Sequence, residues 1–232
     1  MSALVSRDDV AAAAAALRDI AVRTPLVRAP WLEDAAGAEV RLKCENLQRA
    51  GAFKVRGAYT MIARLPEAER RRGVITYSSG NHAQAVALAA RHFGVPAVVV
   101  MPTTAPAIKV EGARALGAEV LFEGTTSIER RERAEAIAAE RGLTIVPPFD
   151  HPDIIAGQAT VGREILEDWP DVEAVLVPVG GGGLIAGIAA WVKRERPECL
   201  VVGVEPENAD AMRRSTEAGE PVTIEARPTV AD

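Results

Sequence analysis

Lys54 has the sequence setting that most directly suggests covalent chemistry. It lies within Gly-Ala-Phe-Lys-Val-Arg-Gly at 51–57, between an aromatic and a β-branched residue. Burial among apolar neighbours disfavours the charged form of an amine, and a neutral amine can form a Schiff base with an aldehyde. A surface lysine whose stem covers apolar neighbours would show the same local pattern. The chemistry therefore needs support from other motifs.

Four consecutive glycines form the second motif. Gly180, Gly181, Gly182 and Gly183 follow an apolar run and precede Leu184. Because these residues have no Cβ, successive N–H groups can surround an anion, and the positive end of a following helix adds to the attraction. The motif predicts a phosphate-binding loop between a strand and a helix, with a merely flexible loop as the alternative.

Small polar residues at 78–82 form the third motif. Ser78, Ser79 and Asn81 are typical of a helix start, whose free N–H groups suit a carboxylate. The Ser79 hydroxyl could move a proton, and the Asn81 amide could bond a phenolic oxygen. An ordinary helix cap would need only one of these residues. His82 is interpreted as a structural or orienting residue rather than a general base.

Alternating strands and helices must position these motifs. Short apolar runs separated by helical patterns indicate an α/β fold with parallel sheets covered on both faces and right-handed crossovers. Ligands of such sheets lie at the carboxyl ends of the strands, where two of the motifs fall. Strands are predicted at 74–77, 96–101, 118–122, 143–146, 175–179 and 200–205, and helices at 81–93, 107–116, 127–141, 153–168 and 183–196.

Composition excludes several classes of function. The 232 residues are 48% apolar and carry a net charge of −5 without a basic cluster, which argues against a nucleic-acid partner. Cys44 and Cys199 lack the spacing of a disulfide or metal motif and fit a reducing compartment. The alanine run 11–16 is too short to cross a membrane and follows acidic residues, unlike a signal peptide. The sequence predicts a cytoplasmic protein.

A nicotinamide-binding module is the competing interpretation of the glycine loop. Gly181, Gly183 and Ala186 fit a loose dinucleotide fingerprint, and Glu205 ends the next predicted strand, where a ribose-binding acid would lie. This interpretation leaves Lys54 and the polar motif at 78–82 without a role.

Taken together, Lys54, the stretch 78–84 and the loop 180–184 resemble the fold-type II pyridoxal phosphate (PLP) enzymes, in the branch of threonine/serine ammonia-lyases (dehydratases) and serine racemases. Further similar stretches are 23–26, 43–48, 155–158 and 204–206. The resemblance implies two lobes of open, twisted, mostly parallel sheets covered by helices, as in the β chain of tryptophan synthase. Residues 1–72 and 149–232 would form the large PLP-binding domain, and 73–148 the small substrate-side domain.

The resemblance implies a role for each candidate residue. Lys54 would hold PLP as a Schiff base and later take the α-proton of the substrate, while Phe53 would pack beside the ring. Asn81 would bond the phenolic oxygen of the cofactor. The phosphate would be held by Gly180, Gly181, Gly182, Gly183 and the N–H of Leu184. The substrate carboxylate would lie on the helix start formed by Ser78, Ser79, Asn81 and His82.

The implied reaction is β-elimination of L-threonine or L-serine to a 2-oxo acid and ammonia. With the same cofactor, the alternatives are racemisation of serine or another amino acid, in which Ser79 is the second acid/base, and elimination from 3-hydroxyaspartate. A catalytically silent piece that binds PLP weakly or pairs with another chain is a further alternative. The family also implies a homodimer or higher homo-oligomer.

Two features depart from the family pattern. Relatives that bind a mono- or divalent cation use an acid shortly after the Glu-Pro pair, and Glu205 matches that pair, but Ala211 stands where an aspartate is expected. Glu205 is therefore the candidate side-chain ligand, and the backbone of Ala209 also matches the cation site of those relatives. The family also continues beyond the position of Asp232, so this chain is expected to lack the C-terminal part that supplies the partner of the pyridine nitrogen.

Overall fold

The structure is a computed structural model and describes residues 5–78, 80–224 and 229. The candidate catalytic residue Ser79 therefore lies outside the described residues. None of the helices in the described ranges is long and apolar enough to cross a membrane.

The first part of the chain contains helices and one antiparallel strand pair. Strands β1 (Leu26–Arg28) and β2 (Arg41–Lys43) pair side by side. The helices are α1 (Arg7–Ala16), α2 (Pro30–Ala36), α3 (Lys54–Arg64) and α4 (Glu67–Arg72). Every residue of α3 from 55 to 62 is buried, because two later helices, Asn81–Phe93 and Pro152–Asp168, pack on it. Lys54 is thus the first residue of a central helix.

The segment 73–148 forms a four-stranded parallel sheet. Its strands are β3 (Val74–Tyr77), β4 (Ala97–Met101), β5 (Glu119–Phe122) and β6 (Thr144–Ile145), and its helices are α5 (Asn81–Phe93), α6 (Ala107–Ala115) and α7 (Ser127–Arg141). The strand order is β5-β4-β3-β6, so the order reverses between β3 and β6. In open parallel sheets the crevice at such a reversal is the usual ligand site.

Both faces of this sheet are buried, which explains its continuous apolar strands. Val74 and Val99 face a core that includes residues of α3 and α5. Ile75 and Val98 face the opposite way, toward residues of α7. Since successive residues of a strand alternate between faces, a strand buried on both sides must be apolar throughout.

The last part of the chain contains a two-stranded parallel sheet. Its strands are β7 (Ala174–Pro178) and β8 (Leu200–Val204), which pair in parallel. The helices of this part of the chain are α8 (Pro152–Asp168), α9 (Gly183–Glu195) and α10 (Ala211–Ala218). Val175 and Val177 pack toward α9, whereas Leu176 and Val202 on the other face are exposed in the described part of the chain. The division into large and small domains stays a prediction, although the four-stranded sheet falls wholly within 73–148.

Glycines let three helices approach one another closely. A Cβ on Gly57 of α3 would lie 3.0 Å from the carbonyl oxygen of Ile154, and one on Gly157 of α8 would lie 2.6 Å from the Cα of Gly57. On the other side of α8, a Cβ on Gly187 of α9 would lie 2.6 Å from the backbone nitrogen of Ala159. Backbone is therefore packed on backbone, which fixes α3 firmly against α8.

Replacing Gly157 by alanine is expected to destabilise the protein by about 1–3 kcal/mol, because the new methyl group would overlap the Arg56 carbonyl and force α3 away from α8. Gly162→Ala in the same helix is the comparison variant: its methyl group would lie 3.1 Å from the Cα of Ile188, a tight contact that a shift of a few tenths of an ångström relieves, so it should lose less stability than Gly157→Ala. Urea unfolding of both variants measures the difference, and equal stabilities would contradict the close-packing argument.

Candidate active site

The Lys54 amine lies at the strand-order reversal between β3 and β6. Its Nζ donates a hydrogen bond of 2.7 Å to the carbonyl oxygen of Pro148, which closely follows β6. The apolar face of α3 that carries Val55 and Ile62 is anchored in the core, so the start of the helix is directed at the end of the sheet. The fold thus brings the predicted lysine to the position where parallel sheets bind ligands.

Burial makes this amine easier to deprotonate. It lowers the pKa of Lys54 from 10.5 to about 8, because a low-dielectric environment disfavours the ammonium form. The hydrogen-bond acceptor is a neutral carbonyl, which does not hold the proton as a carboxylate would. The ring of Phe53 lies 5.1 Å from Nζ, as measured to the ring centroid. About one molecule in ten would carry a neutral amine at pH 7.

His82 is a neutral neighbour of this amine. Its Nε2 lies 3.0 Å from the carbonyl oxygen of Val146, a contact that requires the proton on Nε2. Burial first, and then the nearby positive charge of Lys54, lower the pKa of His82 to about 3. Its Nδ1 is buried, and no described residue forms a hydrogen bond with it. This geometry supports the interpretation of His82 as an orienting residue rather than a base near neutral pH.

The glycine loop lies on the other side of the segment Pro148-Phe149. Gly182 has a left-handed backbone conformation (φ +85°), and a Cβ on Gly181 would overlap the Phe149 ring. A Cβ on Gly183 would lie 2.7 Å from the Phe149 carbonyl oxygen. Gly180 has open space around it. The loop leads into α9, whose first N–H groups have no acceptor within the helix and can bind an anion.

The start of α5 is arranged differently from the expected side-chain cap. Gly80 is the N-cap and offers no side chain to the first turn, while the Ser78 hydroxyl accepts a hydrogen bond from the Gly80 N–H. Asn81 begins the helix and is exposed. This leaves N–H groups of the first turn for a ligand, in agreement with the predicted carboxylate site.

Lys109 is a residue of this region that the sequence did not reveal. The side chain lies against Gly80, with Nζ 3.4 Å from the position that a Gly80 Cβ would occupy. It adds positive charge beside the positive end of α5. Lys109 lies on α6, and no local pattern connects it to the motif at 78–82.

The Glu205 side chain binds the N-terminus of α10. Its two carboxylate oxygens accept hydrogen bonds from the backbone nitrogens of Met212 (2.9 Å) and Arg213 (2.8 Å), at the start of α10. Within the described ranges, no group of three or more His, Cys, Asp or Glu side chains is arranged to hold a metal ion. The role of Glu205 as a cation ligand stays a prediction.

Together, the candidate residues suit a ligand with two different ends. An amine of lowered pKa contacts the Pro148 carbonyl, and the glycine loop at the start of α9 contacts the next residue, Phe149. An aldehyde that also carries a phosphate group fits this pair of sites, because the amine can bond the aldehyde while the loop binds the anion.

Burial of the Lys54 ammonium is expected to lower stability, so Lys54→Met should stabilise the protein by about 2–3 kcal/mol at pH 7. Between pH 8 and 10.5 the unfolded chain binds this proton and the folded protein does not, so wild-type stability rises with pH. The difference in unfolding free energy between Lys54→Met and the wild type should therefore fall at pH 9.5 to about half its value at pH 7.

Urea unfolding of the cofactor-free protein at pH 7 and pH 9.5 checks this expectation. Lys193→Met is the control, because the Lys193 Nζ donates hydrogen bonds to the carbonyl oxygens of Pro197 and Cys199. Loss of these bonds should lower stability by about 1 kcal/mol at both pH values. A destabilised Lys54→Met variant would contradict the burial cost assigned to the amine.

Comparison with known proteins agrees with this geometry. Residues 17–232 match the family model described as "Pyridoxal-phosphate dependent enzyme". The chain is 48% identical over 229 residues to the L-threonine ammonia-lyase of Thermotoga maritima, covering 99% of this chain and 57% of that protein. It is 44% identical to the L-threo-3-hydroxyaspartate ammonia-lyase of a Pseudomonas species, covering 99% of this chain and 72% of that protein.

Among solved structures, maize serine racemase superposes with a TM-score of 0.95 at 36% identity, covering 99% of this chain and 70% of that one. The α/β fold with its parallel sheets and the PLP cofactor follow from these matches. Because the family model matches residues 17–232 and the fold superposes on a solved serine racemase over 99% of the chain, this chain belongs to the fold-type II PLP-dependent enzymes.

Proposed function

We propose that this protein deaminates L-threonine or L-serine by PLP-dependent β-elimination, releasing a 2-oxo acid and ammonia. The observation that carries the proposal is the buried Lys54 amine at the end of the four-stranded sheet, with the glycine loop across the Pro148-Phe149 segment. Similarity to the threonine ammonia-lyase of Thermotoga maritima supports the choice of reaction, although the chain spans only 57% of that protein.

The residues present fit the cofactor at both of its ends. Lys54 would bind the aldehyde, and the loop 180–183 with the N–H of Leu184 would bind the phosphate. Phe53 would pack beside the ring, and Asn81 would bond its phenolic oxygen. When bound, PLP supplies an electron sink that stabilises negative charge at the substrate Cα.

Lys54 would also move the proton of the reaction. Once the substrate has displaced it, the neutral amine can accept the α-proton, and a pKa of about 8 keeps both protonation states accessible near neutral pH. Neutral His82 adds no positive charge that would depress the basicity of the amine further. The start of α5, with Ser78 and Asn81, would hold the substrate carboxylate.

Lys54→Ala tests the assignment. The variant should lose the visible absorption of the lysine-bound cofactor, and release of 2-oxo acid from L-threonine should fall by about 10³-fold or more because the general base is missing. Lys193→Ala, a lysine at the far end of α9, should keep both properties. Borohydride reduction and peptide mapping should place the cofactor on Lys54 in the wild type. If Lys54→Ala still released 2-oxo acid from L-threonine at the wild-type rate, the proposal would be wrong.

Racemisation is the second candidate, favoured by the close superposition with maize serine racemase. Elimination from 3-hydroxyaspartate is supported in the same way by the Pseudomonas relative. All three reactions begin with loss of the α-proton. Racemisation differs from the two eliminations in that a group on the opposite face returns a proton to Cα, and Ser79 is proposed for that role.

Ser79→Ala separates racemisation from elimination. If Ser79 returns a proton to the opposite face, the variant should lower formation of D-serine from L-serine more than formation of pyruvate. Both products are measured in the same reaction, so that differences in cofactor loading cancel. Equal loss of both would remove the special role given to Ser79.

A further inference from the structure

A buried ion cluster surrounds Arg56, two residues after Lys54. The Arg56 side chain is 1% exposed. Its Nε and Nη2 donate to the two carboxylate oxygens of Glu45 at 2.9 and 2.8 Å. Its Nη1 and Nη2 donate to the two oxygens of Glu164 at 2.6 and 2.9 Å. Arg56 is therefore held on both sides by charge-assisted, forked hydrogen bonds, the most directional kind a side chain makes.

Further contacts tie the cluster to distant parts of the chain. Arg56 also donates to the Thr160 hydroxyl (3.1 Å) and to the Val22 carbonyl oxygen (3.3 Å). Lys43, itself nearly buried, contacts Glu164 at 2.6 Å and donates to the Thr24 carbonyl oxygen at 2.7 Å. The cations Lys43 and Arg56 thus face Glu45 and Glu164, with Asp168 at 3.8 Å from Lys43, and the cluster joins β2, α3 and α8.

Such a cluster fixes geometry more than it adds stability. Removing charges from water offsets most of their attraction, so a buried pair is weak evidence for a stability gain. The attraction does, however, depend strongly on the exact placement of each group. Helix α3 needs such a restraint, because its N-cap Phe53 provides no side-chain hydrogen bond to the first turn.

Lys54 and Arg56 extend from the same first turn in different directions. Arg56 reaches the α8 residues Thr160 and Glu164, while Lys54 reaches Pro148. We propose that Arg56 is a positioning residue for Lys54: clamped between Glu45 and Glu164, it holds the first turn of α3 so that the amine stays at the Pro148 carbonyl, sheltered from water. This rests on the role proposed for Lys54, but it can be tested on the amine itself.

The test measures how readily the Lys54 amine reacts without any cofactor. The protein is labelled with a trace of acetic anhydride across pH 6–11, and the Lys54 peptide is quantified by mass spectrometry to give the midpoint of its titration. Arg56→Lys retains the positive charge but loses the fork. If α3 loosens and water reaches the amine, the midpoint should rise by about one pH unit relative to wild type.

Arg64→Lys is the matched control. Arg64 ends the same helix and pairs with Asp153 of α8 at 2.5 Å, so this variant also weakens an arginine–carboxylate pair between α3 and α8, but far from Lys54. Its titration midpoint should equal that of the wild type. Glu164→Asp keeps the negative charge but shortens the side chain, so it should raise the midpoint of the Lys54 titration as Arg56→Lys does. If Arg56→Lys does not fold, Glu164→Asp alone tests whether the cluster positions Lys54.

A midpoint that is unchanged in Arg56→Lys and Glu164→Asp, while thermal stability falls as in Arg64→Lys, would overturn the proposal and leave the cluster a purely structural one. Failure of the proposed function is recognised separately. In that case the wild-type amine would show its low midpoint and the variants their shift, but added PLP would not become fixed to Lys54 by borohydride.

Discussion

The contact between the Lys54 amine and the Pro148 carbonyl is the constraint on which the site depends. It requires helix α3 to begin where the four-stranded sheet ends, and this in turn requires α3 to lie deep between α5 and α8. Gly57 and Gly157 permit that depth by removing side chains from the helix crossing. The polar end of a buried helix and the carboxyl edge of a sheet therefore meet at one crevice.

Burial of a lysine in this way opposes stability and favours reactivity. The same desolvation that lowers the pKa of Lys54 removes hydration from its ammonium form, and a carboxylate partner would have stabilised that ammonium form at the expense of the neutral, reactive amine. A carbonyl acceptor orients the amine without holding its proton. His82 follows the same logic, since a protonated imidazole beside Lys54 would add repulsion in a dry site. His82 is thus kept neutral by its surroundings, whereas for Lys54 they only make the neutral amine accessible near pH 8.

Local pattern predicted most of the fold after residue 73, because each helix ends at a residue with a clear physical signal. Gly94 and Gly142 adopt the left-handed conformation just after α5 and α7. The antiparallel pair of β1 and β2 was not predicted, since three-residue strands are too short to show an alternation of apolar and polar residues. The Arg56 cluster was also missed, because Glu164 is 108 positions away in sequence. The nicotinamide interpretation was wrong, since glycine loops serve any phosphate and only Lys54 distinguishes the cofactor.

The structure of the described residues accounts better for the step that the related reactions share, removal of the α-proton, than for the later step at which elimination and racemisation diverge. Threonine ammonia-lyase, hydroxyaspartate ammonia-lyase and serine racemase are all similar to this chain over nearly its whole length. Under the proposed mechanism the shared first step is removal of the α-proton, and Lys54 lies where it would hold the cofactor and accept that proton. The outcome must then depend on groups that meet the substrate on its other face and at its side chain. The start of α5 is the natural place for such groups, because its N–H groups, Ser78 and the nearby charge of Lys109 surround the position expected for the substrate carboxylate.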